Sequence, residues 1–429
     1  MNPSYFVPQK ANIWSKEFWF IVWTLALLLT PKFAGPYGLR YDDFVLLSIF
    51  FFLLFTKPKV PGYYPLFFLI LYFLLKQAIL TFHLAAHPIT PAHVAIYGKY
   101  LALLCVVFVA ARLDLGTLTS VISARLKIGP LLFFLALANV LFTYRLTGSL
   151  SRITGLFINV QYYWEEQSAL SGNSFFGYYV ALCYLYFLVF GGRYRYLYLF
   201  PFLILCFLSG SRMGVAALVL CNLFYLALRL KNGFYLLPVC LLVIMFFAYY
   251  NAAAQPVEVV GVERSVKLFD YLFRGGMDGP AESRFYVYES ILFTSLSSAL
   301  NFFFGQGIEA KSIGGEISFR ILESQYLRDL YETGIVPLSL LIFSMGSLAI
   351  LNWKLMSKAA DSHTKDVFVF FCIFSIVTAV IALLFSELLI VTKGIVAIVL
   401  MVMNAKLIRS CSRQIKSRAR FGALTAGGY

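Results

Sequence analysis

Apolar runs of membrane-spanning length recur along almost the whole chain, and this constrains the fold more than any other feature. A helix crossing about 30 Å of hydrocarbon needs roughly 20 residues. The sequence predicts such spans at 17–33, 41–56, 62–84, 91–111, 128–147, 174–191, 195–210, 212–229, 233–250, 333–353, 366–386 and 388–406. The expected fold is therefore all-α: a polytopic helical bundle of about twelve transmembrane helices. Composition agrees, because the 429 residues are 61% hydrophobic and only 13% charged. Too few charges remain to cover a water-soluble surface of that size.

One long polar interval interrupts the pattern. Residues 251–332 are bounded on both sides by apolar runs, and at roughly 80 residues they far exceed an ordinary connection of about 4–6. Phe, Tyr, Leu and Ile recur through the interval at helical spacing, which predicts an ordered cap and not a free linker. The chain divides accordingly into a bundle at 1–250, a helical loop at 251–332, and closing spans with a basic tail at 333–429.

The net charge of +15 is distributed by topology. Lys57, Lys59, Arg112, Arg125, Lys127, Arg193, Arg195, Arg229, Lys231, Lys354, Lys358, Lys365 and the tail all fall on one side of the predicted bundle. The positive-inside rule makes that side cytoplasmic, together with both termini. The long loop holds seven basic against eleven acidic residues and falls on the opposite side. This distribution argues against a nucleic-acid partner. The seven cysteines form no CxxC pair and none lies in the long loop, so neither a disulfide framework nor a zinc cluster is indicated. His83, His87 and His93 are loosely spaced around prolines, and no metal site is expected there. The N-terminal segment lacks the features of a cleavable signal.

Charges that depart from this pattern mark candidate sites. Lys76 and Lys99 lie within predicted spans, where a charge faces a cavity or snorkels; Lys99 is the stronger candidate, being less easily explained by snorkelling. A second outward segment carries Arg145 and Arg152, two helical turns apart, followed by Gly155, Asn159 and Asn173. Arg212 follows LSGS at the outer end of one span and opens the next, against the basic-inside bias; an anionic ligand at that surface is a simple reason for it. In the long loop, ESRFYVYESILFTSLSSAL predicts a helix beginning near Arg284, with an apolar stripe at Phe285, Tyr288, Leu292 and Leu296. The Gly-rich NFFFGQGIEAKSIGG follows. Its GQG lacks the strand and lysine of a nucleotide-binding loop. A second helix, FRILESQYLRDLYETG, places Arg320, Ser324 and Arg328 on one face and closes at Gly334. The alternative for Arg320 and Arg328 is a set of surface salt bridges, Arg328 with Glu332 and Arg320 with Glu323 or Glu316, each of little worth.

Three local features together resemble the Wzy-type O-antigen polymerases and the related O-antigen ligases of bacterial envelopes. They are RITGLFIN followed by GNSFFGYYVAL; SGSRMG; and the loop series ESRFYVYESI, NFFFGQGIEA and ESQYLRDLYETGIVPLSLLIF. The resemblance covers about 150–340. It implies a metal-independent, inverting glycosyltransferase without a cofactor, in the bacterial inner membrane with its site facing the periplasm. Glycan would pass from undecaprenyl pyrophosphate to a lipid-linked acceptor, with a chain-length regulator protein as a further partner. The family's pyrophosphate-binding arginines map onto Arg212 and Arg284. Many ligases carry a histidine near the span after the loop, where this chain has Glu323, Ser324 and Gln325; the departure favours the polymerase over the ligase. A lipid-linked oligosaccharide flippase is the alternative from another class.

Preorganised arginines can stabilise a pyrophosphate leaving group without a metal. A general base must reach the acceptor hydroxyl, and Glu323 and Glu289 are the candidates. Arg212, Arg284 and Glu323 are thus the expected catalytic set. Arg145, Arg152, Arg320, Arg328, Lys99, Glu289, Gln325 and Tyr326 are the expected substrate contacts, with Tyr286 and Tyr288 as further rings on which sugars could stack.

Overall fold

The computed structural model describes residues 16–29, 41–55, 63–85, 91–113, 170–208, 212–229, 279–307, 324–359, 361–384 and 394–426. All regular structure among them is helical. In chain order the helices are α1 (Lys16–Leu29), α2 (Tyr41–Leu47), α3 (Ile49–Phe55), α4 (Tyr64–Ala85), α5 (Pro91–Arg112), α6 (Leu170–Phe190), α7 (Arg195–Leu208) and α8 (Arg212–Arg229). They continue with α9 (Gly279–Leu296), α10 (Ala299–Phe304), α11 (Gln325–Thr333), α12 (Ile335–Met356), α13 (Ser362–Leu384) and α14 (Ile395–Ala426).

Among the described residues four stretches are long and apolar enough to cross a membrane: Tyr64–His83, Ile335–Met356, Ser362–Leu383 and Ile395–Arg413. Asp43–Phe55, Gly177–Phe190 and Met213–Arg229 are shorter apolar helices. The expected spans at 128–147 and 233–250 lie outside the described residues. The described helices show four such spans and leave the expected number of twelve unestablished. The described parts of α1 and α7 have 14 residues each, a rise of about 21 Å. The run expected at 41–56 divides at Ser48, whose hydroxyl donates to Val45 O at 2.7 Å. Trp23 Nε1 of α1 donates to both groups at the break, at 3.0 Å to Val45 O and 2.9 Å to Ser48 Oγ. The freed backbone group is thereby satisfied inside the protein, as an apolar surround requires.

Helix α12 packs along α13 and α4, α6 against α7 and α8, and α13 against both α8 and α6. The interior is continuous and dominated by Leu, Val, Ile and Phe. A buried polar ladder ties three helices together. Asn352 of α12 donates to Asn404 Oδ1 of α14 at 2.9 Å, and Asn404 donates to Ser375 Oγ of α13 at 3.3 Å.

Contacts at the helix ends define two faces of the bundle. At one end Arg229 pairs with Asp366, Phe190 meets His363, and Lys406 donates to Leu113 O. At the other, the end of α4 meets α10, Ser324 donates to Leu383 O, and α8 touches α6 at Gly214 and Gly177. Helices α9, α10 and α11 gather at this second end and form a cap there.

Candidate functional site

Helix α11 is polar by composition yet buried over most of its length: Gln325, Tyr326, Asp329, Leu330, Tyr331, Glu332 and Thr333 are all inside. Local signals set its limits. Ser324 is the N-cap, accepting from Leu327 N at 3.3 Å while its hydroxyl donates to Leu383 O at 2.5 Å. Gly334 ends the helix at φ +81°, and its N–H donates to Leu330 O at 3.0 Å. Pro337 then fits the first turn of α12, where no intrahelical donor is lost.

A backbone knot seats α11 on the bundle. In the FFFGQG segment, Gln306 N donates to Tyr331 O at 2.7 Å and Gly307 N to Glu332 O at 3.0 Å. Gly305 sits at φ +69°, and a side chain there would run into the Thr333 and Glu332 backbone; one at Gly334 would run into Phe303. His83, at the end of α4, places its Nε2 3.1 Å from Phe304 O. The GQG turn therefore acts through close backbone packing.

Beneath the knot lies a charge cluster between α4 and α11. Lys76, fully buried in α4, donates to Asp329 and, at 3.3 Å, to Glu332 Oε2. Arg328 Nε donates to Glu332 Oε1 at 2.7 Å. Tyr72 OH donates to Asp329 Oδ2 at 2.8 Å, and Gln325 Nε2 donates to the same oxygen at 2.9 Å. The Lys76 ammonium also stands 5.1 Å from the centre of the Tyr100 ring, within cation–π range. Two cations face two carboxylates, so the cluster is neutral overall. Burial alone would raise the Glu332 pKa, but Arg328 and Lys76 outweigh it and hold the carboxyl below its ordinary range. Arg328 keeps 21% of its side chain exposed and is the cluster's link to the surface.

The predicted residues are dispersed over the structure. Arg328 and Gln325 belong to the cluster. Arg328 makes the Glu332 pair that the sequence offered as a surface salt bridge, but its carboxylate partner is buried. Tyr326 is buried, with its hydroxyl 3.5 Å from Met345 Sδ. Glu289 is exposed on α9 and, with Tyr288, Leu292, Phe293, Leu296 and Leu327, lines a groove of about 600 Å³. Lys99 lies elsewhere, on α5, paired with Asp43 at 3.3 Å. Arg212 opens α8 and Arg284 lies in the first turns of α9. Arg145, Arg152, Arg320 and Glu323 lie outside the described residues.

Two of the motif segments do meet. A Cβ on Gly214, in SGSRMG, would come within 2.6 Å of Gly177 Cα, in GNSFFG. Small residues let the starts of α6 and α8 touch backbone to backbone, which fixes where the chain carries Arg212. A search against protein-family models finds no match, and no curated protein is significantly similar to the chain.

Lys76, Asp329, Glu332 and Tyr72 are the site residues that the sequence reading did not assemble. The available signal was a lysine in the middle of a 22-residue apolar helix, which requires a counter-ion. Gln325, Asp329 and Glu332 recur at four- and three-residue steps and so form a polar stripe able to meet it.

Proposed function

We propose that the chain is a membrane glycosyltransferase, an envelope polysaccharide polymerase working at the capped end of the bundle. One observation carries this reading: the helices holding GNSFFG, SGSRMG, ESRFYVYESI and ESQYLRDLYETG all reach the same end, with α11 locked there by the cluster around Lys76. The remote end carries Arg112, Arg193, Arg195, Arg229, Lys354, Lys358, Lys365, Arg409 and Arg413 among its described residues. By the positive-inside rule that end is cytoplasmic, and the cap is periplasmic. Arg212 and Arg284 bind the donor pyrophosphate, Arg328 stands at the edge of the same pocket, and the acceptor lies toward Glu323. No metal is required for the electrostatic part of this scheme.

The test is purified protein given defined lipid-linked repeat units in the presence of EDTA. Chain extension is expected from the native protein and not from Arg212→Ala or Arg284→Ala, both of which still insert and accumulate. Arg→Lys rescues poorly, since a point charge does not reproduce the guanidinium fork. Normal polymer from either alanine variant removes that arginine from the mechanism. Activity lost with EDTA and restored only by a divalent ion removes the metal-free scheme. Transfer of finished chains to a lipid A-core acceptor, without extension, identifies a ligase instead.

A transport reading has one observation in its favour, because an ionisable cluster buried against a spanning helix is also how proton-coupled carriers are built. Reconstituted vesicles separate the two: movement of a lipid-linked oligosaccharide across the bilayer without polymer formation supports transport.

A further inference from the structure

Between Ser290 and Ile308 the cap carries no Asp, Glu, Lys or Arg, although the rest of the interval from 251 to 332 is rich in them. This charge-free stretch also exposes large apolar side chains: Leu292 at 42%, Phe293 at 79%, Leu296 at 65%, Leu300 at 66%, Phe303 at 47% and Phe304 at 50%. Within α9 the spacing puts Leu292 and Leu296 one turn apart, and within α10 Leu300 lies one turn from Phe303 and Phe304, so on each helix these exposed side chains share a face. Such a face on a water-exposed cap would be costly, and contiguous apolar surface of this kind marks a contact.

Its height on the bundle names the contact. The backbone at Phe303 and Phe304 lies against Gly334, which opens α12, and against His83, near the end of α4. Both helices are long and apolar enough to cross a membrane, and both expose apolar side chains along their length. On α12 these run from Val336 at 38% through Phe343 at 61% to Trp353 at 55%. Val336 to Trp353 rises about 25 Å at about 1.5 Å per residue, close to the thickness of a hydrocarbon core of about 30 Å. Helix α10 sits at the Val336 end of that strip, and Phe82 beside His83 is 75% exposed at the same level. The apolar face of the cap thus lies beside the exposed apolar surface of α4 and α12, with only the serines of the α9–α10 turn exposed between its two helices.

We infer that α10 and the second half of α9 lie in the membrane interface, their apolar faces packed on lipid acyl chains, with the groove between α9 and Leu327 open to the same hydrocarbon. The cap is then half-submerged, and the charge cluster beneath it is shielded by lipid as well as by protein. This holds whichever chemistry the site performs.

The test places the photoreactive residue p-benzoylphenylalanine in turn at Phe293, Phe303, Phe343 and Lys358 of the full chain. The protein is reconstituted in vesicles of phosphatidylethanolamine and phosphatidylglycerol and irradiated, and the adducts are identified by mass. Phe343 serves as the lipid-facing control, and the exposed Lys358, at the charged end, as the water-facing one. Lipid adducts are expected at both Phe293 and Phe303, as at Phe343, and not at Lys358. Absence of a lipid adduct at either cap position, while Phe343 gives one, overturns the inference. So does exclusive coupling of either position to a second copy of the chain, which would make this face a subunit contact. Because the readout is position and not turnover, its failure leaves the glycosyltransferase reading untouched.

Discussion

Two lysines lie inside apolar helices, and the structure treats them differently. Lys99 of α5 is 17% exposed and faces a single carboxylate, Asp43, at 3.3 Å. Lys76 of α4 is fully enclosed, and two carboxylates and an aromatic ring surround it. On sequence alone Lys99 is the stronger candidate, because its depth is harder to explain by snorkelling. The difference between them lies in their partners. Asp43 comes from a neighbouring apolar helix, whereas Asp329 and Glu332 come from a cap helix that enters the bundle to meet Lys76. A buried charge must be matched wherever it sits, and here the match also decides where the cap is anchored.

The comparison breaks most visibly if one member of the deeper cluster is removed. Lys76→Met leaves two carboxylates with only Arg328 beside them, and loss of one partner from a buried pair costs about 3–5 kcal/mol. The expected result is a large drop in the detergent-solubilised melting temperature or failure to accumulate, with much of the loss recovered in Lys76→Met combined with Asp329→Leu. A single variant as stable as the native protein would show that Lys76 is not enclosed.

Gly334→Ala is the next largest. It forces a left-handed backbone position and presses a methyl group against Phe303, and strained positions of this kind cost about 1–3 kcal/mol. Protease sensitivity of the cap should rise while the spanning helices stay protected. Equal loss across the whole chain would mean that knot and bundle unfold together.

Lys99→Met should cost less, about 1 kcal/mol, the upper end for pairs that retain solvent access. A loss as large as that of Lys76→Met would erase the contrast between the two sites.

The smallest effect is a pH dependence. Glu332 has a folded pKa below its unfolded value, so its contribution to stability is complete above the ordinary glutamate range. The contribution fades as pH falls from there through the lowered folded value. Melting temperature measured from neutral to acid pH should decline in that window for the native chain and more shallowly for Glu332→Gln. Parallel curves would mean that Glu332 does not titrate differently on folding.

The positions of most helices were readable from the sequence, because spanning length and apolar content are local properties. So was the end of α11, where Gly334 and Pro337 are stop and start signals in their own right; Ser324, read as a residue within that helix, is instead its N-cap. The pairing of Lys76 with Asp329 was not readable, since the two are separated by 253 positions and nothing local links them. The apolar stripe of α9 teaches a different lesson. Leu292 and Leu296 belong to the stripe read from the spacing, and both are exposed, while Ile291 and Ser295 are buried. Inward packing of apolar stripes is a rule for proteins in water. In a membrane protein an apolar face can equally meet lipid, and spacing alone does not choose between them.

The distance along the chain between Lys76 and its counter-ions has a consequence for biosynthesis. Synthesis proceeds at about 5–20 residues per second, so Lys76 emerges roughly 10–50 s before Asp329 exists to meet it. Helix α4 must therefore enter the bilayer carrying an unpaired lysine, a penalty of about 2.5–3.5 kcal/mol at a helix centre. The Leu, Ile and Phe residues around it offset that penalty during insertion. Lys76 then waits, at the position it will occupy in the finished protein, until α11 is made and can dock. Two carboxylates then arrive at a cation already in the bilayer, before the part of α13 that receives the Ser324 hydroxyl has been made.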